Sequence, residues 1–407
     1  MVRGLRPKNP LRLTFHISSA CNLRCTYCYQ KVKNTKVLSF DNAKKFIDEI
    51  IKMKLGMTSK LECYFVDKDR VFNQGVELDF LGGESTLFIG LIEQITDYFF
   101  KCVIENKLTD WLIDSVVTVE TNGTTYFDKT VNNFFVKYKH KLQLPITIDG
   151  CRECHDQCRV YPDGRGSYDN VIDSIKASVE LLGEYPNTKL TFCKENMKYI
   201  KQSIENMVNL GYKKFRASFN ISSQLTEEDS DQYYNCLKEA ADYIIDNNVD
   251  VTFTPFFAKF NQDLSRGNCG LFGDQMCIDW NGDLYNCFRF CESSLGDKKH
   301  PIGNVNNGIT DKEFIKQYIN SETEWEDTCK NCPISKGCEE CPADNYFING
   351  CVNKPVRNCG VTVAEARAQR YFIDRAKRSD YKYKDDLDKI DANNMYDPSY
   401  QYKLFKI

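Results

Sequence analysis

Three cysteines near the start of the chain directly follow a run of apolar residues that is typical of a strand. Cys21, Cys25 and Cys28 have the spacing C-x3-C-x2-C. Cysteine thiolates are the ligands of iron–sulfur clusters and of structural zinc. Three thiolates hold three irons of a four-iron cluster and leave the fourth iron open to a small molecule. Zinc would need a fourth ligand, and His16 lies on the preceding strand rather than in the loop.

A second set of cysteines lies in the C-terminal third of the chain. It contains the spacings C-x12-G-x4-C and C-x2-C-x5-C-x2-C, followed by two more cysteines. Its members are Cys269, Cys277, Cys287, Cys329, Cys332, Cys338, Cys341, Cys351 and Cys359. The chain has 20 cysteines, and without a secretion signal their grouping favours metal ligation over disulfides. A zinc ribbon is the alternative, because C-x2-C pairs are common in that structure.

Composition excludes several classes of protein. The net charge of the 407 residues is −3, which gives no basic surface for nucleic acid. The first twenty residues contain no long apolar run, so we expect no signal peptide and a cytoplasmic protein. No apolar stretch is long enough to predict a membrane span.

Up to residue 256 the chain alternates short apolar runs with longer segments of helical pattern. The strand candidates are 11–18, 76–83, 116–122, 142–149, 189–193, 215–220 and 251–256. The helix candidates are 40–54, 88–107, 126–138, 168–183, 196–210 and 227–246. This alternation predicts an α/β fold with a parallel sheet, either a partial (β/α)6 barrel like a TIM barrel or a doubly wound sheet. In both folds the active site lies at the C-terminal ends of the strands.

The composition changes near residue 265, where Cys, Gly and Asn become frequent. We therefore predict three parts: a barrel over residues 1–256, a small Cys-rich domain organised by metal over 257–375, and a charged extension over 376–407. The extension is Tyr-rich and has no clear periodicity, which is typical of a solvated tail.

The motif CNLRCTYC, from Cys21 to Cys28, resembles the signature of radical S-adenosylmethionine enzymes. The resemblance implies a [4Fe–4S] cluster whose open iron binds S-adenosylmethionine, which one electron cleaves to an adenosyl radical. Later strand ends carry a GGE motif, TNGT, and the stretch TIDG followed by His155 and two arginines, all similar to family segments. The residues implied in cofactor binding are Tyr27, Gly82, Gly83, Glu84, Thr121, Asn122, Thr147, Arg159 and Arg165. Either arginine is a candidate for the cofactor carboxylate.

The second cysteine set resembles the SPASM extension of these enzymes, with x2 rather than x3 before Cys341. The resemblance implies two auxiliary [4Fe–4S] clusters, and therefore three clusters in all. Implied ligands of the first auxiliary cluster are Cys269, Cys277, Cys287 and Cys341. Implied ligands of the second are Cys329, Cys332, Cys338 and Cys359. Cys351 competes with Cys359 for the last place.

Most SPASM enzymes modify peptides or proteins, and the resemblance implies a precursor-peptide substrate and a reductant such as flavodoxin or ferredoxin. Sulfatase-maturating enzymes carry an aspartate after the cysteine that matches Cys287, and this chain has Phe288 there. The segment NCFRFCESSLGDKKHPIGNV resembles maturases of Cys-x-x-x repeat precursors, which implies thioether bonds of the sactipeptide or ranthipeptide type. Carbon–carbon crosslinking and sulfatase maturation stay alternatives, as does an electron carrier with several clusters. The catalytic residues are not identified by this resemblance.

Leader recognition has three candidate solutions. Only twenty residues precede Cys21, so we expect no N-terminal recognition domain there. The long connection 56–76 could form a peptide-binding edge or a structural hairpin; a separate recognition protein is the third solution. Three further cysteines, Cys151, Cys154 and Cys158, follow the fourth strand, where they could bind metal, handle radicals or be inert.

Overall fold

A computed structural model describes most of the chain. The described residues are 10–62, 72–220, 224–257, 273–321, 324, 326–332, 334–335, 338, 340–356 and 359–383. The strands are β1 Leu11–His16, β2 Val76–Leu81, β3 Val116–Val119, β4 Leu142–Gln143, β5 Lys189–Phe192, β6 Lys214–Phe219, β7 Thr252–Phe253, β8 Gln275–Ile278, β9 Asp283–Tyr285, β10 Gly303–Asn304 and β11 Gly308–Ile309.

The helices lie mainly between the strands. They are α1 Phe40–Lys54, α2 Ile89–Glu105, α3 Thr109–Asp114, α4 Lys129–Tyr138, α5 Arg152–Cys158, α6 Tyr168–Leu182, α7 Ile200–Asn209, α8 Glu227–Asp246, α9 Thr254–Phe257, α10 Glu292–Leu295, α11 Lys312–Asn320, α12 Asp327–Lys330, α13 Pro342–Asn349 and α14 Cys359–Lys377. Two helix starts have side-chain caps that the sequence explains: the Ser39 side chain accepts the Asn42 amide at the start of α1, and Thr226 and Asp229 form a capping box at the start of α8. No helix in these ranges is long and apolar enough to cross a membrane.

The strands form two sheets that together make a partial barrel. The larger sheet has the order β11-β10-β9-β8-β1-β2-β3-β4, and the smaller one has the order β5-β6-β7. Strands β1 to β4 are parallel, and β8 is parallel to β1. Between β4 and β5, the Thr191 amide donates to Asp149 Oδ1 at 2.8 Å and the Ile146 amide donates to the Asn187 carbonyl at 3.2 Å. The predicted α/β partial barrel is confirmed.

Most strands end one to three residues before the predicted end, and two of them are reduced to two residues. In the segment 142–149 only the first two residues form a strand, because Pro145 has no amide hydrogen for a ladder. A single bridge between Thr121 and Ile146 continues the pairing. In the segment 251–256 the strand ends at Phe253, and α9 begins at once with Pro255 in its first turn, where proline is tolerated. The six predicted helices are present with small shifts at their ends.

The two faces of the large sheet have opposite chemistry. Leu13, Phe15 and Phe80 face the helices, and the rings of Phe15 and Phe80 stack with centroids 5.2 Å apart. Because side chains alternate along a strand, Thr14 and Asp79 face the interior of the barrel. Burial of the apolar face stabilises the sheet, and the polar face remains available for chemistry.

The second cysteine region is built onto the barrel rather than separated from it. Strand β8 pairs with β1 through the register Thr14 to Cys277. Helix α14 packs along α8, where the Tyr233 hydroxyl donates to Glu365 at 3.0 Å and the Ser230 hydroxyl donates to the Gly360 carbonyl at 2.7 Å. The three-part division of the chain stays a prediction.

Gly75 offers a test of the packing at the start of β2. A Cβ at this position would lie 2.1 Å from the Asp114 carbonyl oxygen, which is backbone and cannot rotate away. We expect Gly75→Ala to lower the free energy of unfolding by about 1–3 kcal/mol, measured as a lower Tm. The matched control is Gly90→Ala in the first turn of α2, where nothing lies within 4 Å of the new Cβ. The control should keep or raise the Tm because alanine favours helix, and equal effects of the two substitutions would contradict the packing.

Candidate active site

The cysteine loop follows β1 and rests on the GGE segment at the end of β2. The Gly83 amide donates to the Ser18 carbonyl at 2.8 Å, and the Glu84 amide donates to the Ala20 carbonyl at 2.9 Å. A Cβ on Gly82 would lie 2.3 Å from the Ser18 oxygen, and one on Gly83 would lie 2.2 Å from the Ala20 oxygen. Only glycine permits this backbone approach, so the two glycines fix where the cysteine loop begins.

The three loop cysteines lie together, half-buried, at this edge of the sheet. The charges of Cys21 and Cys28 both raise the pKa of Cys25, although burial is the largest cause of its rise to about 11 and Arg159 opposes it. The Lys33 ammonium lies 3.4 Å from the Cys28 sulfur. Two cations therefore lie near the three thiols, and their positive charge opposes part of the effect of burial.

The end of β3 is tied to the same loop by asparagines. The Asn122 side-chain amide donates to Asn22 Oδ1 at 2.9 Å and lies 4.0 Å from the Cys21 sulfur. The Asn22 side-chain amide in turn donates to the Thr124 hydroxyl at 2.7 Å. The structure thus brings the predicted Thr121–Asn122 segment next to the cysteines.

Glu84 is the buried hub between β2 and β3. Its Oε1 accepts the Thr121 hydroxyl at 2.7 Å as well as the Thr86 hydroxyl, and its Oε2 accepts the Asn122 amide at 2.7 Å. Burial raises the pKa of Glu84, and these hydrogen bonds oppose the rise. Oε1 also accepts the Thr86 amide at 3.4 Å, whereas Oε2 accepts the Asn122 amide alone among the described donors. An oxygen of a carboxylate has about two lone-pair sites, so Oε2 keeps capacity for a ligand.

Arg159 lies on the opposite side of the cysteine loop. Its Nη1 donates to the Tyr27 hydroxyl at 2.9 Å, and that hydroxyl is also bonded to Asp149. The Arg159 Nε is buried and has no hydrogen-bond partner among the described residues. The buried His155 ring, whose pKa is lowered by burial first and by Arg159 second, packs behind this group. An unpartnered donor on a buried cation points to a missing anion.

The two arginines predicted for one role lie in different environments. Arg165 is solvent-exposed, and its Nε donates to Asp163 Oδ2 at 2.7 Å. Its guanidinium also lies 5.2 Å from the centre of the Tyr161 ring. Thr147 is placed at the end of β4, where its amide donates to the Thr121 carbonyl at 3.1 Å. The structure therefore groups Thr147 and Arg159 with the cysteine loop and separates Arg165 from it.

These residues fit an anionic iron–sulfur cluster and a carboxylate-bearing cofactor. Among the described residues no three His, Cys, Asp or Glu side chains are arranged to hold one metal ion, so the cysteines do not form a closed shell for a single ion. Their fit to a larger group rests on the soft donor set of Cys21, Cys25 and Cys28, and on the unpartnered Arg159 donor beside them.

In the second cysteine region, Cys277 on β8 and Cys291 at the start of α10 form a buried pair. Their sulfurs are 3.8 Å apart. Burial raises the pKa of Cys291, and the charges of Cys277 and Cys287 raise it further. Cys291 was not expected at this site, because it belongs to neither SPASM spacing and only the fold brings it beside Cys277.

Arg289 links two other predicted ligands. Its guanidinium is paired with Asp344, and the charges of Cys341 and Cys287 both act on its pKa, which is raised despite burial. Burial raises the pKa of Cys341 to about 12, and the nearby Arg289 opposes this rise. Cys287 and Cys341 therefore lie around one buried cation, as expected for ligands of one anionic cluster.

The remaining SPASM cysteines follow in tight turns. The Cys332 amide donates to the Cys329 carbonyl at 3.3 Å, and the Cys338 sulfur lies 3.8 Å from the Thr362 hydroxyl in the first turn of α14. Cys359 is the first residue of that helix. Cys351, in contrast, is solvent-exposed and bonded to the nearby Asn353 side chain.

Several predicted residues lie outside the described part of the chain or away from the site. Cys269 and residues 63–71 of the connection 56–76 fall in undescribed ranges. Cys151, Cys154 and Cys158 are all buried on or next to α5. The Cys158 sulfur lies 3.7 Å from that of Cys193, and the Cys151 sulfur lies 3.7 Å from the Ser203 hydroxyl. The described residues do not arrange these three cysteines as a metal site.

Sequence reasoning missed the residues that support the cysteine loop. Asn22 and Lys33 touch the loop cysteines directly or through one partner, and Asp149 holds Tyr27. Asn22 and Lys33 lie within a few residues of a loop cysteine, and that proximity was the only available signal. Arg289 had a stronger signal in the sequence. It lies two residues after the predicted ligand Cys287, between two phenylalanines, and arginine is rare at buried positions.

No protein-family model matches the chain. The chain is 24% identical over 362 residues to a cysteine-type anaerobic sulfatase-maturating enzyme of Clostridium novyi, covering 82% of this chain and 88% of that protein. It is 23% identical over 355 residues to the antilisterial bacteriocin subtilosin biosynthesis protein AlbA of Bacillus subtilis, covering 85% and 68%. An uncharacterized protein of Methanocaldococcus jannaschii is 25% identical over 318 residues, covering 73% and 91%.

Solved structures show the same fold. The enzyme anSMEcpe with bound AdoMet (S-adenosylmethionine) and a Kp18Cys peptide superposes with a TM-score of 0.66 at 16% identity, covering 91% of this chain and 98% of that one. Streptococcus suis SuiB bound to its precursor peptide SuiA superposes with a TM-score of 0.53 at 16% identity, covering 85% and 74%. The resemblance to radical S-adenosylmethionine enzymes with a SPASM extension, which mature peptides or proteins, is confirmed.

Proposed function

We propose that this chain is a radical S-adenosylmethionine maturase that forms Cys thioether crosslinks in a ribosomally made precursor peptide. The observation that carries the enzyme proposal is the buried Arg159 beside the three-cysteine loop, because its Nε has no hydrogen-bond partner in the ranges that the structure describes. A protein that only carries electrons needs no unpartnered cation beside its cluster. It also does not need Gly82 and Gly83 to bring the cysteine loop close to the end of β2.

In this proposal the cofactor site lies between the cysteine loop and the strand ends. Cys21, Cys25 and Cys28 would hold the cluster, and the cofactor bound to it would supply a radical for hydrogen abstraction. Arg159 would pair with the cofactor carboxylate, and Glu84 Oε2 would accept from its ammonium group. Asn122, next to Cys21, would contribute to the ribose side of the site.

The second cysteine region is proposed to hold two further [4Fe–4S] clusters. Cys287 and Cys341 around Arg289 belong to the first, and Cys277 joins them from β8. Cys269, outside the described ranges, completes this set by resemblance. Cys329, Cys332, Cys338 and Cys359 form the second set, and the contact between Cys338 and the first turn of α14 supports Cys359 as its last member.

The proposed substrate is a peptide with Cys-x-x-x repeats. Two proteins similar to this chain are linked to peptides: AlbA is a biosynthesis protein of the bacteriocin subtilosin, and SuiB has been solved bound to its precursor peptide SuiA. Phe288 stands where sulfatase-maturating enzymes carry a carboxylate, and its ring packs 5.8 Å from Tyr29. Sulfatase maturation and carbon–carbon crosslinking remain second candidates, because the chain is also similar to a sulfatase-maturating enzyme.

Iron content tests the choice between Cys351 and Cys359. We expect Cys359→Ser to lose the iron of one cluster, about four atoms per chain, because it removes a ligand at the head of α14. Cys351→Ser should keep the full iron content, since the Cys351 thiol is exposed. Iron and sulfide are measured in protein reconstituted without oxygen. Loss of iron from the Cys351 variant alone would reverse the assignment.

Cofactor affinity tests the choice between the two arginines. Arg159→Gln removes a buried charge-assisted hydrogen bond, and we expect the Kd for S-adenosylmethionine to rise by about 10- to 100-fold. Arg165→Gln is the matched control and should leave the Kd unchanged, because Arg165 is exposed and paired with Asp163. Binding is followed by calorimetry, with melting curves to verify that both variants fold. Equal Kd values for the two variants would remove Arg159 from the cofactor site.

Product analysis tests the reaction itself. Reconstituted enzyme, reductant and S-adenosylmethionine are incubated with a Cys-rich precursor encoded beside this chain. We expect 5′-deoxyadenosine and a peptide lighter by two hydrogens per crosslink, with one cysteine blocked to alkylation. A lighter peptide whose cysteines all remain reactive points to carbon–carbon crosslinking or another oxidation. Absence of 5′-deoxyadenosine from protein that holds all its clusters points to an electron carrier.

A further inference from the structure

The barrel interior carries a row of polar side chains that the cofactor site does not use. Strand register places Cys277, Thr14, Asp79, Thr118 and Gln143 on one level across β8, β1, β2, β3 and β4. Side chains paired in this way share one face of the sheet. The alternate residues on the same strands are buried leucines, valines and phenylalanines against the helices, so this row points into the barrel.

Asp79 is the buried acid of this row. It is 1% exposed, and its Oδ2 accepts the Thr14 hydroxyl at 3.0 Å, whereas its Oδ1 has no partner among the described residues. The nearest cation on β1 is committed elsewhere, because Arg12 Nε and Nη2 bind Glu77 Oε2 at 3.1 and 3.0 Å. Burial raises the pKa of Asp79, and the Glu120 charge raises it further. Burial and the Glu120 charge thus favour the protonated form of Asp79, and the Arg12 charge opposes them.

Glu120 lies one level nearer the cysteine loop on the same face. It is the residue after β3, two positions beyond Thr118. Its amide donates to the Phe80 carbonyl at 3.1 Å and its carbonyl accepts the Ser85 hydroxyl at 2.9 Å, so its backbone is fixed. Its side chain is exposed to solvent even though protein surrounds it, which places it in an open space within the barrel.

The proposed reaction needs a proton acceptor that the SPASM region does not supply. Forming one thioether from a C–H and an S–H removes two hydrogens from the peptide. One leaves as a hydrogen atom to the adenosyl radical, and the other leaves as a proton plus an electron that passes to an iron–sulfur cluster. Sulfatase-maturating enzymes have a carboxylate after the cysteine that matches Cys287, and Phe288 stands there in this chain.

We propose that Glu120 is the catalytic residue that accepts this proton, with Asp79 beneath it as the neighbouring acid. The inference rests on the proposed function and adds the residue that completes its proton balance. Of the two carboxyl groups, Glu120 is the accessible one, and it is adjacent to the Thr121–Asn122 segment that touches the cysteine loop. A carboxylate in an enclosed polar space is suited to general base catalysis.

The pH dependence follows from the groups that face Glu120. Burial raises the pKa of Glu120, and cations on two strands oppose the rise. The charged and titratable groups facing it are Arg12, Tyr29, Glu77, Asp79 and Lys189. Glu120 accepts a proton only when ionised, so product formation falls as the pH falls through its raised pKa.

The test compares Glu120→Gln with the wild type over a range of pH. Both 5′-deoxyadenosine and peptide lighter by two hydrogens are quantified. We expect Glu120→Gln to form 5′-deoxyadenosine at the wild-type rate but to yield about 100-fold less product per 5′-deoxyadenosine. In the wild type, the amount of product per 5′-deoxyadenosine should decrease at acidic pH. In Glu120→Gln this ratio should not change with pH in that range. Glu105→Gln, on the exposed end of α2, is the matched control and should behave as the wild type.

Three outcomes would overturn the inference. A wild-type product ratio in Glu120→Gln at every pH shows that another group takes the proton. A proportional loss of 5′-deoxyadenosine and product shows that Glu120 supports cofactor binding or folding instead. A wild-type enzyme that leaves the peptide mass unchanged defeats both the inference and the proposed function. The loss of two hydrogens is the same for a thioether and for a carbon–carbon bond, so the mass tests proton removal in either case. Alkylation of the peptide cysteine then shows whether the bond formed is a thioether.

Infrared spectroscopy tests the Asp79–Glu120 pair without turnover. The holoenzyme at neutral pH should show the carbonyl stretch of a protonated carboxylic acid, which Asp79→Asn removes. Glu120→Gln should shift the titration of that band to lower pH, because it removes the negative charge that raises the pKa of Asp79. A band that titrates identically in the wild type and in Glu120→Gln would show that the two carboxyl groups do not interact.

Discussion

The close approach of two backbones determines the geometry of the candidate site. A Cβ atom on Gly82 would lie 2.3 Å from the Ser18 carbonyl oxygen, and one on Gly83 would lie 2.2 Å from the Ala20 carbonyl oxygen, so neither position has room for a side chain. Two amide hydrogen bonds then fix the start of the cysteine loop against the end of β2. Every later contact of the site, from Glu84 to Asn122 and Cys21, depends on the loop lying at this depth.

One face of the large sheet is apolar and packs against the helices, and the other carries polar and charged side chains. The face toward the helices is apolar and supplies the stability expected from buried side chains, as the stacked Phe15 and Phe80 rings illustrate. The other face carries the half-buried Arg12 and the buried Glu77 and Asp79, and burial of such carboxyl groups is costly unless they are paired or protonated. Arg12 and Glu77 form an ion pair, whereas Asp79 Oδ1 has no hydrogen-bond partner in the described part of the chain. Strained or incompletely satisfied polar groups of this kind concentrate at functional sites.

The sequence predicted most of the fold because its repeating pattern is local. Each helix and strand has a periodicity that a short window reveals, and the order of strands and helices implies parallel pairing. The pairing of β8 with β1 has no such local signal, and neither has the early end of β4 at Gln143. The cysteine spacings identified the candidate metal ligands for the same reason, since ligands in one loop are close in sequence.

Contacts between residues that are far apart in the sequence could not be predicted from local periodicity or spacing. The preference for Arg159 over Arg165 depends on which side chain the turn after α5 buries, and both arginines look alike in sequence. Cys291 meets Cys277 only because β8 joins the barrel sheet. Asp79 on β2 and Glu120 directly after β3 are brought together by the pairing of the two strands, which no spacing in the sequence reveals.

The two cysteine regions form one continuous unit, which matters for moving an electron between them. The Arg289 guanidinium lies 4.3 Å from the centre of the Tyr29 ring, and Tyr29 directly follows Cys28. The Val32 amide donates to the Ser293 carbonyl at 3.1 Å, and Lys36 pairs with Glu292 at 3.0 Å. These contacts clamp α10 onto the cysteine loop. In the proposed function, these contacts would hold the two regions next to each other while a peptide occupies the barrel interior.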